Sequence, residues 1–293
     1  MANDVGSGGS EFPAAERGPT VLRIALGSRL RQLREDCGVT REAAGDWIRG
    51  SHAKISRMEL GRTGVKERDL RDLLTLYKVV DEDKRETYFE LCRRANDPGW
   101  WHRYSDLLPS WFETYIGLEQ AATTIRTYEG QFVPGLLQTA DYARSVIEIG
   151  TDEPTERRVA VRMRRQEIFH RASAPTLWAV LDESALRRPV GGERVLEDQI
   201  KHLITMAEHP KVRIQVLPFS VGGHAAMGGS FSILRFPEPE LPDIVYTEQI
   251  ASSLYFEKRR DVEFYKSVMD RVSVQALTPA RSEQFLRTLL AED

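Results

Sequence analysis

The chain has 293 residues, 41% of them apolar, and a formal charge of −3, so it is long enough for two domains with real cores. That balance excludes a protein drawn to nucleic acid by its overall field, and no apolar run approaches the about 18 residues that would suggest a membrane span. Two cysteines with no CxxC spacing and no Cys/His cluster exclude a disulfide framework and a zinc module. The first residues lack a basic-then-apolar signal segment, so the expected setting is cytoplasmic.

The first residues, 1–19, are rich in Gly, Ser and Pro, have almost nothing to bury and are expected to be disordered. Leu26, Leu30 and Leu33, continued by Cys37, mark a helix over 22–36 with one buried face. Gly38 ends it, and Thr40 caps a second helix running to about residue 48. Ser51 caps a third that ends near Leu60, with Gly61 as its stop. A fourth helix, about 67–77, buries Leu70, Leu73, Leu74 and Tyr77. A fifth, about 81–95, opens with Asp81, Glu82 and Asp83 against its positive end. Cys37 and Cys92 read as small buried hydrophobes. Five short helices with tight connections predict one all-α domain over 20–96.

Residues 96–101, Asn-Asp-Pro-Gly-Trp-Trp, break the helical period and set the start of a second domain over 97–293. Trp100, Trp101 and Tyr104 are expected to weld the two domains together. A helix over 109–119 and a strand over 124–128 follow, then a helical turn opened by Pro134, a helix over 139–149 and a very basic helix over 155–171. Strands are expected over 177–181, 212–217, 230–236, 243–246 and 253–257. A helix over 193–208 joins the first two, and helices over 258–275 and 279–291 close the chain. This is an α+β pattern, with a mostly antiparallel sheet expected over its later strands. No internal repeat is visible.

Charge is distributed locally. Residues 21–80 hold 13 Lys or Arg against 8 Asp or Glu, while the remainder is net acidic. A modest basic module on a neutral-to-acidic body suits a specific DNA binder, although ordinary solvated charge gives the same pattern. Two short helices at the spacing of residues 38–44 and 51–62 form a device for placing a helix in a major groove. On the third helix, Ile55 and Met58 face inward toward Ala44, Ile48 and Leu33, which leaves His52, Ala53 and Arg57 outward as candidate base contacts. Arg57 can fork onto guanine O6 and N7, His52 can donate to a base or a phosphate, and Ala53 admits a thymine methyl. Arg41 begins the second helix, where phosphate normally lies beside free backbone N–H groups. Lys54, Arg62 and Lys66 are further phosphate candidates. The plainer alternative is a surface helix with scattered solvated charge.

Residues 26–79 resemble the Cro/C1-type, or XRE, helix-turn-helix repressors. The likeness rests on Arg29-Leu30-Arg31-Gln32-Leu33-Arg34, Gly38-Val39-Thr40, Ala44 and Lys54-Ile55-Ser56-Arg57-Met58-Glu59-Leu60-Gly61-Arg62. It implies a five-helix, lambda-repressor-like fold and a structural ion pair between Arg34 and Glu59. The chain departs from the pattern in the turn before the third helix, which reads Arg49-Gly50. Either Arg49 is left-handed, at a cost of roughly 1 kcal/mol, or the turn shifts onto Gly50. Trp47 occupies a usually polar position and Gly45 weakens the second helix.

The second domain is similar to DUF5753, a domain of unknown function found in actinobacterial regulators including the WhiJ-like group. The matching segments are Gly130-Gln-Phe-Val-Pro-Gly-Leu-Leu-Gln-Thr-Ala-Asp-Tyr-Ala-Arg144, Arg162-Met-Arg-Arg-Gln166, Leu181-Asp-Glu-Ser-Ala-Leu-Arg-Arg-Pro-Val-Gly-Gly192 and Val216-Leu-Pro-Phe219. The resemblance implies a developmental or specialised-metabolism regulator controlled by a small partner protein or a ligand.

Within this domain, Pro134-Gly135 fixes a sharp turn that packs Phe132 and Val133 against Leu136 and Leu137. Arg157, Arg158, Arg162, Arg164 and Arg165 can pair inside their own domain, meet an acidic partner or touch DNA flanks. The glycine-rich stretch 222–229 is open to two readings, a wide hairpin or a ligand lid, and lacks the Lys-Ser/Thr ending of a phosphate loop. His170, His209 and His224 have no ligand spacing, Asp182-Glu183 can orient Arg187 and Arg188, and no nucleophile sits in a recognisable elbow.

The sequence therefore predicts a DNA-binding regulator that acts as a homodimer on a near-palindromic operator of double-stranded DNA, with no catalytic residues, cofactor or metal. The alternatives are a protein-docking module built on the helix-turn-helix fold and a small-molecule receptor.

Overall fold

The computed structural model describes residues 19–150, 155–237 and 241–292. The expected tail over 1–19 lies outside them, except that Pro19 already belongs to a helix. The first five helices are α1 (Pro19–Asp36), α2 (Arg41–Trp47), α3 (His52–Glu59), α4 (Glu67–Leu76) and α5 (Glu82–Asn96). Thr40 and Ser51 accept from the backbone N–H groups of Ala43 and Lys54, as expected of caps, and Asp81 caps the fifth helix in the same way through Lys84. Leu26, Leu30, Ala44, Ile48, Ile55, Met58, Leu70, Leu73, Leu74 and Tyr77 form one core, closed by Cys92. Cys92 donates to Val65 O at 2.9 Å, and burial pushes its thiol up to about 11. Cys37, half-buried, donates to Tyr77 O.

A short 3-10 helix, Trp100–Tyr104, leads into the second domain. There α6 (Ser110–Glu119), β1 (Thr124–Glu129), α7 (Ala140–Gly150), α8 (Thr155–Gln166), β2 (Thr176–Asp182), α9 (Glu183–Arg187), α10 (Glu193–Ala207), β3 (Val212–Leu217), β4 (Phe231–Arg235), β5 (Ile244–Glu248), β6 (Ser253–Phe256), α11 (Arg259–Gln275) and α12 (Pro279–Leu289) follow. One six-stranded sheet has the order β3-β2-β1-β4-β5-β6.

The sheet is mixed: its later strands are antiparallel, as expected, but its first three are parallel. β1, β2 and β3 are parallel neighbours, while β4 runs against β1, and β5 and β6 continue antiparallel. The reason lies in the connections. Helices join β1 to β2 and β2 to β3, and a parallel pair needs such a long crossover, whereas short loops join β4 to β5 and β5 to β6. Two details also differ from the sequence reading. The short α9 was not anticipated, and the basic helix ends at Gln166 before a 3-10 turn over Glu167–His170.

Helices cover both faces. Ile125, Leu177, Ala179, Leu181, Leu234 and Ile244 look toward α6, α7, α10 and α12, while Tyr128, Val180, Ile233 and Val245 look toward α11. The stretch 222–229 is not a wide hairpin, because β3 and β4 are separated by β2 and β1. It crosses the sheet instead, bringing His224 Nε2 to 3.4 Å from the Tyr128 hydroxyl and 3.6 Å from Asp182 Oδ2.

The two domains are joined by more than their linker. Trp101 is buried with Leu108, Ile116 and Val161, and Trp100 stands edge-on to it beneath the Arg164 guanidinium at 4.9 Å. The other joint was not foreseen. The N-terminal part of α1 lies on α6, where Gly117 has no room for a Cβ, which would sit 1.9 Å from Thr20 Oγ1. Ile24, one turn along α1, packs against the main core of the second domain.

Candidate nucleic-acid interface

The α2–α3 unit is built by close backbone approach. A Cβ on Gly45 would lie 2.8 Å from the carbonyl carbon of Ser51, and one on Gly27 would lie 2.4 Å from Met58 O. Gly45 is therefore more than a weak point in α2, because it lets the N-terminus of α3 sit against that helix. The turn resolves the ambiguity at residues 49–50: Arg49 is left-handed, with φ of 53°, and Gly50 N donates to Gly45 O at 2.8 Å.

On α3 the inner edge is closed, with Ile55, Met58 and Glu59 buried, and the outer edge is open, with His52, Ala53 and Arg57 exposed. The structure thus leaves all three expected base-contact residues accessible on one short helix. Glu59 holds this helix in place. Arg34 Nε donates to its Oε1 at 2.5 Å and Arg34 Nη2 to its Oε2 at 3.1 Å, with both side chains buried. This hydrogen bonding holds the Arg34 guanidinium above its ordinary value, and Arg34 Nη1 also donates to Val39 O.

The four expected phosphate contacts divide. Arg41 Nε donates to Glu59 Oε2 at 2.9 Å, so this arginine is partly engaged in bracing α3, although its side chain stays 39% exposed. Lys54 Nζ donates to the largely buried Asp69 on α4 at 2.6 Å, so this cation is shared with the domain's own carboxylate while its side chain stays partly exposed. Arg62 is exposed and stands 4.0 Å from Glu257, at the junction with the second domain. Lys66 is exposed at the start of α4, with no side-chain cap bond. Arg49 adds an exposed cation in the turn before α3. Trp47 is exposed at the rim, with its indole N–H on Asp72 O at 3.1 Å.

The basic helix α8 mostly satisfies itself within its domain. Arg157 forms a bidentate pair with Asp106, and Arg165 forms one with Glu119 that is fully buried. At the end of β2, Asp182 caps α9 and Glu183 accepts from both Arg187 Nε and Phe219 N, so this carboxylate pair is structural and does orient Arg187. Arg188 is exposed with no ion pair among the described residues. His170, His209 and His224 do not converge, and the described residues contain no group of three or more His, Cys, Asp or Glu placed to hold a metal ion. Among them no helix is long and apolar enough to cross a membrane.

Residues 112–288 match the family model described as a domain of unknown function (DUF5753), and residues 25–87 match one described as a helix-turn-helix domain. No curated protein and no solved structure gives a match.

Proposed function

As the chain belongs to the DUF5753 family and carries a helix-turn-helix domain before it, we propose that it is a sequence-specific DNA-binding transcriptional regulator, related to the actinobacterial WhiJ-like group. Its first domain reads DNA in the lambda-repressor-like manner, and its second binds a small partner protein or a ligand and supports dimerisation. It is cytoplasmic and not an enzyme. The observation that carries this reading is the two-sided α3, whose inner edge is locked by Arg34, Glu59 and the core while His52, Ala53 and Arg57 stand free.

One such helix covers one half-site, so two copies related by a two-fold axis would bind a near-palindrome. Arg57 contributes a bidentate base contact, and Arg41, Lys54, Arg62 and Lys66, with Arg49 beside them, reach phosphates. The test is to select genomic fragments with the purified protein and then measure Arg57→Ala on the enriched operator. Loss of about 1–3 kcal/mol on that operator, with little change on unrelated DNA, is the expected result. Equal binding of all fragments by the unaltered protein would overturn it.

A further inference from the structure

On the α6/α8 side of the sheet, the pairing register aligns a row of polar side chains where apolar ones are expected. Thr127, Ser232, Tyr246 and Tyr255 are successive cross-strand partners on β1, β4, β5 and β6. Two residues further along, on the same face, come Glu129, Ser230, Glu248 and Ser253. Thr127, Ser232 and Tyr246 are buried, and the Tyr115 ring lies 4.2 Å from that of Tyr246 as an aromatic wall. Such a stripe is costly unless its groups are satisfied.

Some of it is closed. Ser232 donates to Thr127 Oγ1 at 2.9 Å, Tyr246 to Glu248 Oε2 at 2.9 Å, and the buried Arg165 is matched to Glu119. The rest is open. Arg162, one turn before Arg165 on α8, is held by the neutral amide of Gln138 at 2.8 Å and forms no ion pair among the described residues. Gln138 is itself fixed by Val133 O and Gln166, so the guanidinium is positioned. It lies within electrostatic reach of Glu248 without touching it, and burial, with Arg165 nearby, brings it down to about 10. Across the sheet end, Glu129 is pushed up to about 7 by burial, with Glu248 adding to the rise, and it has no cationic partner among the described residues. The buried Ser253 hydroxyl lies beside the Tyr255 phenol and makes no well-formed hydrogen bond among the described residues.

One positioned guanidinium in reach of Glu248, and Glu248 in turn in reach of Glu129, with hydroxyls and tyrosine rings between them, form a site laid out for both signs of charge. We propose that this group of side chains binds a small zwitterion of the amino-acid class, with its carboxylate on Arg162 and its ammonium group on Glu248 and Glu129. The proposal rests on the ligand-binding half of the function proposed above. It gives that half a place and a chemistry. A planar guanidinium matches a carboxylate bidentately, and the glutamates supply the acceptors that an ammonium group needs.

The test is thermal melting and titration calorimetry of the full chain, without DNA, against the common L-α-amino acids at millimolar concentration, with propionate and methylamine as single-charge probes. At least one amino acid is expected to raise the melting temperature and bind, with affinity reduced about tenfold or more in Glu248→Gln and in Arg162→Gln. Glu248 is exposed and the change isosteric, so that variant keeps the measurement valid if Arg162→Gln fails to fold. No binding by any amino acid overturns the proposal. So does binding unchanged in Glu248→Gln, or an equal effect from propionate or methylamine alone. Because DNA is absent, such a failure leaves the operator reading to be decided separately by Arg57→Ala.

Discussion

Glu59 shows how much one carboxylate can govern. It is buried at the end of α3 and accepts from both Arg34 and Arg41. Its removal strands a buried guanidinium, so Glu59→Ala is expected to cost about 3–5 kcal/mol in denaturant unfolding. Binding should fall with it, because α3 loses its brace. Glu129 works in the opposite sense. Its carboxyl is raised from 4.5 to about 7 in the folded chain, so the fold holds a proton there that the unfolded chain has released. Its cost is absent below about pH 4.5 and complete above about pH 7. Glu129→Gln should therefore raise the melting temperature at pH 8, by on the order of 2 kcal/mol of stability, and leave it unchanged near pH 4. Ser230, Thr127 and Glu248 are the groups that face it, and none is a cation. A variant that gains equally at both pH values would contradict this assignment.

At the level of elements, the α2–α3 turn and the α3–α4 contact set what the recognition helix can do. Arg49 holds a left-handed backbone that glycine adopts freely, so Arg49→Gly should stabilise the domain by roughly 1 kcal/mol. The same change should weaken DNA binding if the side chain reaches phosphate, which separates the two effects in one variant. Lys54 is shared between Asp69 and any phosphate. Lys54→Ala should flatten the logarithmic salt dependence of DNA binding by about one. Asp69→Asn should strengthen binding at low salt, because it removes the competing acceptor.

The helices of the first domain were legible because caps, apolar spacing and glycine stops all agree in a short stretch. Thr40, Ser51 and Gly61 each mark an end that the structure reproduces. The paired Arg34 and Glu59 were legible only through the resemblance, since 25 positions separate them. The polar stripe was not legible. Thr127 and Glu129 alternate with Arg126 and Tyr128, so β1 read alone does not declare its buried side, and Ser232 and Tyr246 join them only once the register is known. The parallel pairing of β1, β2 and β3 was implied by the helices between them, but strand patterns alone do not declare direction.

For the whole molecule, the two domains behave as one body. The aromatic linker is packed on α8, and α1 is seated on α6 through Thr20 and Gly117. Scattering profiles should therefore stay constant across salt and operator length once mass is accounted for, whereas Gly117→Leu, which forces α1 away, should broaden them. In the proposed dimer this rigidity would fix the distance between the two α3 helices, and operators with altered half-site spacing would lose affinity sharply.

Rigid attachment through α1 also bears on how such a protein can be taken apart. A cut after residue 96 looks natural in the sequence, yet it would leave Thr20 and Ile24 without their cover, since these residues pack at the seam between the domains. A chimaera that swaps the DNA-reading head alone would carry a bare, sticky strip on its first helix. Any working exchange has to graft that strip together with the α6 surface that receives it.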